Sequence, residues 1–151
     1  WKVSKDFQNQ LKDVLANYIK IKDALVQEDS ITAKEQAVIL LESLSRVDTE
    51  LLQDTGAYVL WMLFEKELIA SASFIENTMG IAEQRTYFMP LSTTLSKVLQ
   101  SFKINKKVYY QFCPMADYNK GAYWLSEERK IVNPYYGHAM YNCGDVVQEI
   151  E

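Results

Sequence analysis

The sequence predicts a mainly α fold: a four-helix bundle carrying a small C-terminal appended unit made of a short hairpin and a short helix. Three observations carry this expectation. Four successive segments repeat apolar residues every three or four positions, that periodicity gives way near Asn105 to short aromatic-rich pieces, and Asn133-Pro134 has the chemistry of a helix start. At 151 residues and 48% apolar, the chain can bury on the order of two-thirds of its unfolded surface. A single domain over residues 1–151 is expected, with a helical body at 1–104 and the appended unit at 105–151.

Each helix is justified by its own pattern. From Ser4 to Val26, residues Phe7, Leu11, Val14, Leu15, Tyr18 and Leu25 fall on one helical face. Asp29-Ser30 followed by Thr32 to Glu35 reads as a capped start for a second helix running to about Arg46, with Ala37, Leu40, Leu41 and Leu44 inward. The third and most apolar helix follows the polar stretch Asp54, Thr55 and Gly56. Its residues Tyr58, Trp61, Met62, Leu68, Ile69, Ala72 and Ile75 are expected to be its apolar set, with Gly80 as its stop. Helix four spans Ile81 to Phe102, with Phe88, Leu91, Leu95, Val98, Leu99 and Phe102 buried. Pro90 inside it removes an amide donor and crowds the carbonyl four residues earlier, so a kink or a break is expected there.

In the appended unit, Val108 to Phe112 reads as a strand and Ala122 to Leu125 as its hairpin partner across Asp117 to Gly121. Asn133-Pro134 then opens a short helix to about Cys143, ended by Gly144. No cluster of prolines or glycines marks a linker, and no internal repeat is visible.

Charge and hydropathy exclude some partners. A formal net charge of −4, with acids and bases scattered along the chain, offers no basic stripe for nucleic acid and no cationic face for anionic lipid. The longest apolar run, Tyr58 to Phe64, is far below the roughly 20 residues that cross a bilayer, so no transmembrane segment is expected. The start at Trp1 lacks a basic region followed by an apolar stretch and reads as a trimmed or mature form from which an export signal has been removed.

Chemistry concentrates in the appended unit, which holds both cysteines and two of the five methionines as Cys113-Pro114-Met115 and Met140-Tyr141-Asn142-Cys143. In an extended segment residues two apart project to one side, and on a helix residues three apart share a face. Cys113 with Met115, and Met140 with Cys143, can therefore form two sulfur faces. Brought together, two thiolates and two thioethers suit copper(I) or silver(I) and are poor for hard cations. Zinc fits less well because it seldom takes a thioether, and the lone His138 lies about 200° round the helix from Met140. Two other readings stand beside the metal site. A Cys113 to Cys143 disulfide would staple the unit by roughly 3.5 kcal/mol on the loop-entropy model, and two inert buried thiols with methionines as core filler are equally ordinary.

No enzyme activity is expected. One histidine cannot supply a three-histidine zinc site or a di-iron bundle, and no phosphate-cradling glycine loop occurs. Ser126 or Cys113 with His138 as base is a combination that a chain of this size offers by chance. Glu127-Glu128 and Glu65 with Glu67 read as solvated faces. The aromatic excess of Trp61, Trp124, Tyr109, Tyr110, Tyr123, Tyr135, Tyr136 and Tyr141 reads as packing that seats the appended unit, or alternatively as a partner-binding surface. Arg85, amid the helix-four stripe, is expected to be half-buried and paired to an acid or to carbonyls of the C-terminal unit.

At these residues the chain resembles a bacterial family known as domain of unknown function 3347. The matching stretch is Cys113-Pro114-Met115-Ala116, Gly121-Ala122, Trp124-Leu125-Ser126, Asn133-Pro134-Tyr135-Tyr136-Gly137, Met140 and Cys143-Gly144. Weaker agreement reaches back through Trp61, Gln84-Arg85, Phe88 and Leu91-Ser92. Proteins of this kind are similar to small periplasmic or lipid-anchored components of heavy-metal resistance and to domains appended to copper and silver efflux adaptors. The resemblance implies a periplasmic location, a metal ion held by Cys113, Met115, Met140 and Cys143, and an efflux adaptor or periplasmic metal chaperone as partner. It assigns no role to His138, and the lipid-anchoring cysteine of a mature lipoprotein start is missing at Trp1.

Overall fold

The computed structural model describes residues 1–151. Four long helices come first: α1 (Lys5–Val26), α2 (Ser30–Ser45), α3 (Thr55–Glu76) and α4 (Ile81–Ser101). A three-stranded antiparallel sheet follows, built from β1 (Val108–Cys113), β2 (Ala122–Ser126) and β3 (Asp145–Ile150), with β1 central in the order β2-β1-β3. None of the helices is long and apolar enough to cross a membrane.

The helix starts are set by side-chain caps. Ser4, Asp29 and Asp54 each accept an amide three residues ahead, from Phe7, Thr32 and Ala57, which satisfies donors that a helix start leaves free. Thr32 also donates its hydroxyl to Asp29, and this bond is the main reason the Asp29 carboxyl sits below its usual range. Gly80 is not the end of α3, which stops at Glu76 with Asn77 as its cap; Gly80 instead occupies the N-cap of α4. Its extended backbone there, φ −78° and ψ 129°, is the geometry an N-cap requires.

Two expectations about the helices are corrected. α4 runs through Pro90 as one element, so the break offered as the alternative to a kink does not occur. The reason is placement: Pro90 and Thr86, whose carbonyl loses its partner, are both exposed, so water can take up the free carbonyl. In α3 the buried set is narrower than its composition indicates. Trp61, Leu68, Ala72 and Ile75 are buried, while Tyr58, Met62 and Ile69 face outward. Trp61 also lies away from the appended unit, packed edge-on against Phe7 and Phe102 where the start of α1 meets the end of α4.

One hydrophobic cluster passes without interruption from the helices into the sheet, joining Tyr18, Phe88 and Val98 to Val108, Trp124 and Ile150. A polar link crosses this junction. The Leu125 amide donates to the Tyr18 hydroxyl, which lies 2.6 Å from the Ser92 hydroxyl, so α1, α4 and β2 meet in one buried hydrogen-bonded group. Tyr18 also stacks on Phe88.

The appended unit differs from expectation in two ways. Its hairpin, paired from Tyr109↔Ser126 to Cys113↔Ala122, gains a third strand because β3 pairs along the other edge of β1. That pairing carries an irregularity between Tyr110 and Gln111, opposite Gln148 and Val146, so Val147 is the additional residue of a bulge. The helix expected from Pro134 to Cys143 does not form. Asn133 does accept the amides of Tyr135 and Tyr136 through its side chain. The chain then turns left-handed at Gly137 (φ 54°), makes one 3-10 turn over Gly137–Ala139 and leaves helical geometry at Met140 (φ −153°, ψ 51°).

Candidate metal centre

Cys113 ends β1 and is fully buried; Cys143 lies in the irregular segment before β3 and is half-buried. Their placement follows from sheet geometry. Paired residues of antiparallel strands face the same way, so Gln111 and Cys113 share a face with Trp124 and Ala122, and all four are buried. The connection between β2 and β3 lies over that face. Gln111 donates to the carbonyls of Glu128 and Arg129, Trp124 meets Tyr135 edge-on, and Cys113 Sγ lies 2.7 Å from Cys143 Sγ. Both cysteines are free thiols in this structure.

The segment bearing Cys143 is clamped by a residue that periodicity alone marked only as a helix cap. Asn133 is fully buried, and its side chain donates to the Cys143 carbonyl at 2.9 Å while its amide donates to the Tyr141 carbonyl. With its oxygen on Tyr135 and Tyr136, Asn133 uses both ends of its amide group to hold the loop. Gly144, next to Cys143, has φ 136°, and a Cβ there would stand 2.9 Å from both the Phe112 carbonyl oxygen and the Trp124 ring. Only glycine lets the loop lie this close to β1.

Cys143 holds its proton tightly here. The Cys143 thiol is pushed up from an ordinary 9.0 to about 11, first by its hydrogen bond with Cys113, then by burial and by the adjacent sulfur. Tyr136 completes the wall. Its hydroxyl donates to the Met115 carbonyl, and its phenol is raised by burial and then by the two neighbouring cysteines.

The other expected ligands sit differently. Met115 is 44% exposed and lines a neighbouring cleft of about 390 Å³. Met140 is half-buried, and its carbonyl accepts the Cys143 amide. Because no helix joins Met140 to Cys143, the shared helical face on which this pairing was based is absent. His138 is exposed on the 3-10 turn, and no three side chains among His, Cys, Asp and Glu converge anywhere in the chain to hold a metal. Ser126, considered above as a nucleophile, is buried and accepts the Glu128 amide.

Over residues 14–107 the sequence matches the family described as "Protein of unknown function (DUF3347)". The chain belongs to this family. No curated protein and no solved structure matches the chain. The matched residues of this DUF3347 member take in Trp61, Gln84-Arg85, Phe88 and Leu91-Ser92 and end before Cys113. The sulfur pair thus lies outside the matched stretch, although family residues hold its surroundings in place. Arg85, within the stretch, donates from Nε to the Pro134 carbonyl at 2.7 Å and from its guanidinium to the Leu25 carbonyl at 2.9 Å. Glu28 faces it at 3.8 Å. The half-buried pairing expected of Arg85 is therefore present, and it ties α1 and α4 to the loop that leads to Cys143. Burial pulls its guanidinium down, and Glu28 partly offsets this.

Proposed function

We propose that this DUF3347 member is a periplasmic domain that binds copper(I) or silver(I) through Cys113 and Cys143 and passes the ion to an efflux system. The observation that carries the reading is the meeting of the two sulfurs, 2.7 Å apart although thirty residues separate them in sequence. Their donor chemistry fits the ion. Soft thiolates favour monovalent copper and silver, while zinc prefers four ligands drawn from Cys, His and carboxylates, which this site does not bring together. Two metal–sulfur bonds of about 2.3 Å span roughly 3.8 Å even at a tetrahedral angle, and more as the angle opens towards linear, so the sulfurs, 2.7 Å apart, must separate by at least about 1 Å to admit an ion. Cys143, outside the strands, is the member that would shift, against the hold of Asn133 on its carbonyl. Met115 and Met140, between the two cysteines in sequence, carry the thioethers nearest to them along the chain. Such a role needs no turnover chemistry, and its expected partner is an efflux adaptor or a metal chaperone.

Titration of the reduced protein with silver(I) in nitrate buffer is the test. One equivalent should bind with the ultraviolet absorption of a silver thiolate, and that thiolate-bound equivalent should be lost in the Cys113→Ala, Cys143→Ala double variant. Absence of a thiolate-bound equivalent, or its persistence in that variant, overturns the reading. The same sulfur separation also favours a second reading, a Cys113–Cys143 disulfide that staples a structural or protein-interaction module. A two-dalton gain in intact mass when freshly isolated protein is reduced supports it.

A further inference from the structure

The cleft beside the cysteine pair has no part in the reading so far. It is lined on one side by Arg85 and Met89 of α4 and on the other by Met115, Asp117, Tyr118 and Tyr136. We infer that Met89 and Met115 form a thioether subsite in this cleft, holding a soft monovalent cation before it passes to Cys113 and Cys143. The inference rests on the soft-metal reading above and adds a position and a ligand, Met89, that the sulfur motif does not contain.

Three features support it. The cleft and the pair share a wall: Met115, which lines the cleft, follows Cys113 by two residues, and Tyr136 lines the cleft and donates its hydroxyl to the Met115 carbonyl. An ion leaving Met115 therefore has the thiols as its next soft donors. Second, Met89 is half-buried and follows Arg85 by four residues on the same face of α4, so the hydrogen bonds of Arg85 to Pro134 and Leu25 hold that face against the loop. Third, the opposite wall is kept in an unusual shape. Asp117, Tyr118 and Asn119 are three consecutive left-handed residues (φ 54°, 54° and 66°), a conformation that side chains other than glycine rarely adopt. Closure of this turn by the Gly121 amide on the Ala116 carbonyl holds Met115 at the mouth of the cleft. Thioethers are weak, polarizable donors, which suits a position that must release its ion.

The test uses protein labelled with ¹³C at its methionine methyls, in the Cys113→Ala, Cys143→Ala variant and, as a second form that keeps every native side chain, in wild-type protein oxidised to the disulfide. Silver(I) should shift Met89 and Met115 together and saturably. Met62 and Met79, 39% and 58% exposed on other surfaces, should stay in place as internal controls. Met89→Leu with Met115→Leu should weaken this binding at least tenfold. If Met89 and Met115 do not move in either form, or move no more than the two controls, the subsite is overturned while a thiol-bound equivalent in reduced wild type would still stand. If they shift as expected but reduced wild type gains no thiol-bound equivalent, the cysteine reading fails and the subsite is upheld.

Discussion

Cys143 is the residue on which the chemistry turns, because it is the half-buried and more accessible member of the pair. Its raised thiol pKa has a defined consequence for pH. The folded chain holds this proton more tightly than an unfolded one, so the associated stability is present below about pH 9 and is lost as pH rises through about 11. Metal binding as proposed would run the other way, since an ion that displaces protons gains affinity as pH rises. At pH 7.5 Cys143 should therefore react with iodoacetamide several-fold more slowly than an unperturbed thiol. The rate should climb up to about pH 11 and should exceed that of fully buried Cys113 throughout. Mass-resolved alkylation against pH checks this, and a plateau near the ordinary thiol value would contradict a Cys143 thiol raised by its contact with Cys113.

At the scale of elements, the sheet is held to the bundle by a buried polar group as well as by apolar packing. Tyr18 of α1 accepts the Leu125 amide of β2 and shares a hydrogen bond with Ser92 of α4, all in the interior. Burial raises the Tyr18 phenol well beyond its ordinary value, so it remains neutral and available as both donor and acceptor. Replacing Tyr18 with Phe preserves the stack on Phe88 but leaves the Leu125 amide unsatisfied. Such a loss costs about 1–3 kcal/mol. Urea unfolding should show this destabilisation with an unchanged m-value, and Leu125 should lose amide exchange protection before the centre of α1 does. Equal loss of protection in both would mean that the sheet and the bundle open as one unit.

For the whole molecule, the Cys113–Cys143 contact spans thirty residues of the appended unit and closes it on itself. Oxidation forms one sulfur–sulfur bond with loss of two protons and two electrons to an added disulfide oxidant. Closing a loop of this length stabilises by about 3.5 kcal/mol on the loop-entropy model, which for a chain of this size raises the unfolding midpoint by on the order of 10 °C. Calorimetry of reduced and oxidised protein, with intact mass confirming the two-dalton change, measures it. A midpoint that does not move after confirmed oxidation would show that the loop is already constrained without the bond, as the Asn133 clamp on Cys143 would allow.

The helical body could be read from the sequence because its determinants are local. The stripes of α1 and α4, from Phe7 to Leu25 and from Phe88 to Phe102, are buried residue for residue as their spacing requires, and Asp29 caps α2 as expected. The two cysteines expected to meet do so in the fold. What only the tertiary structure decided involves partners distant in sequence. Strand β3 exists because β1 offers it an edge, and its alternation is blurred by the bulge at Val147. The stretch from Pro134 to Cys143 has a helix start, but Gly137 turns left-handed there and Asn133 spends its side chain on both Tyr135 and Cys143. Long-range hydrogen bonds and close packing under Gly144 outweighed the local preference, since a short isolated helix is marginal in water without tertiary support. That outcome placed Cys143 against Cys113 and moved Met115 into a cleft with Met89, a residue whose sequence position alone marks it only as part of a helix.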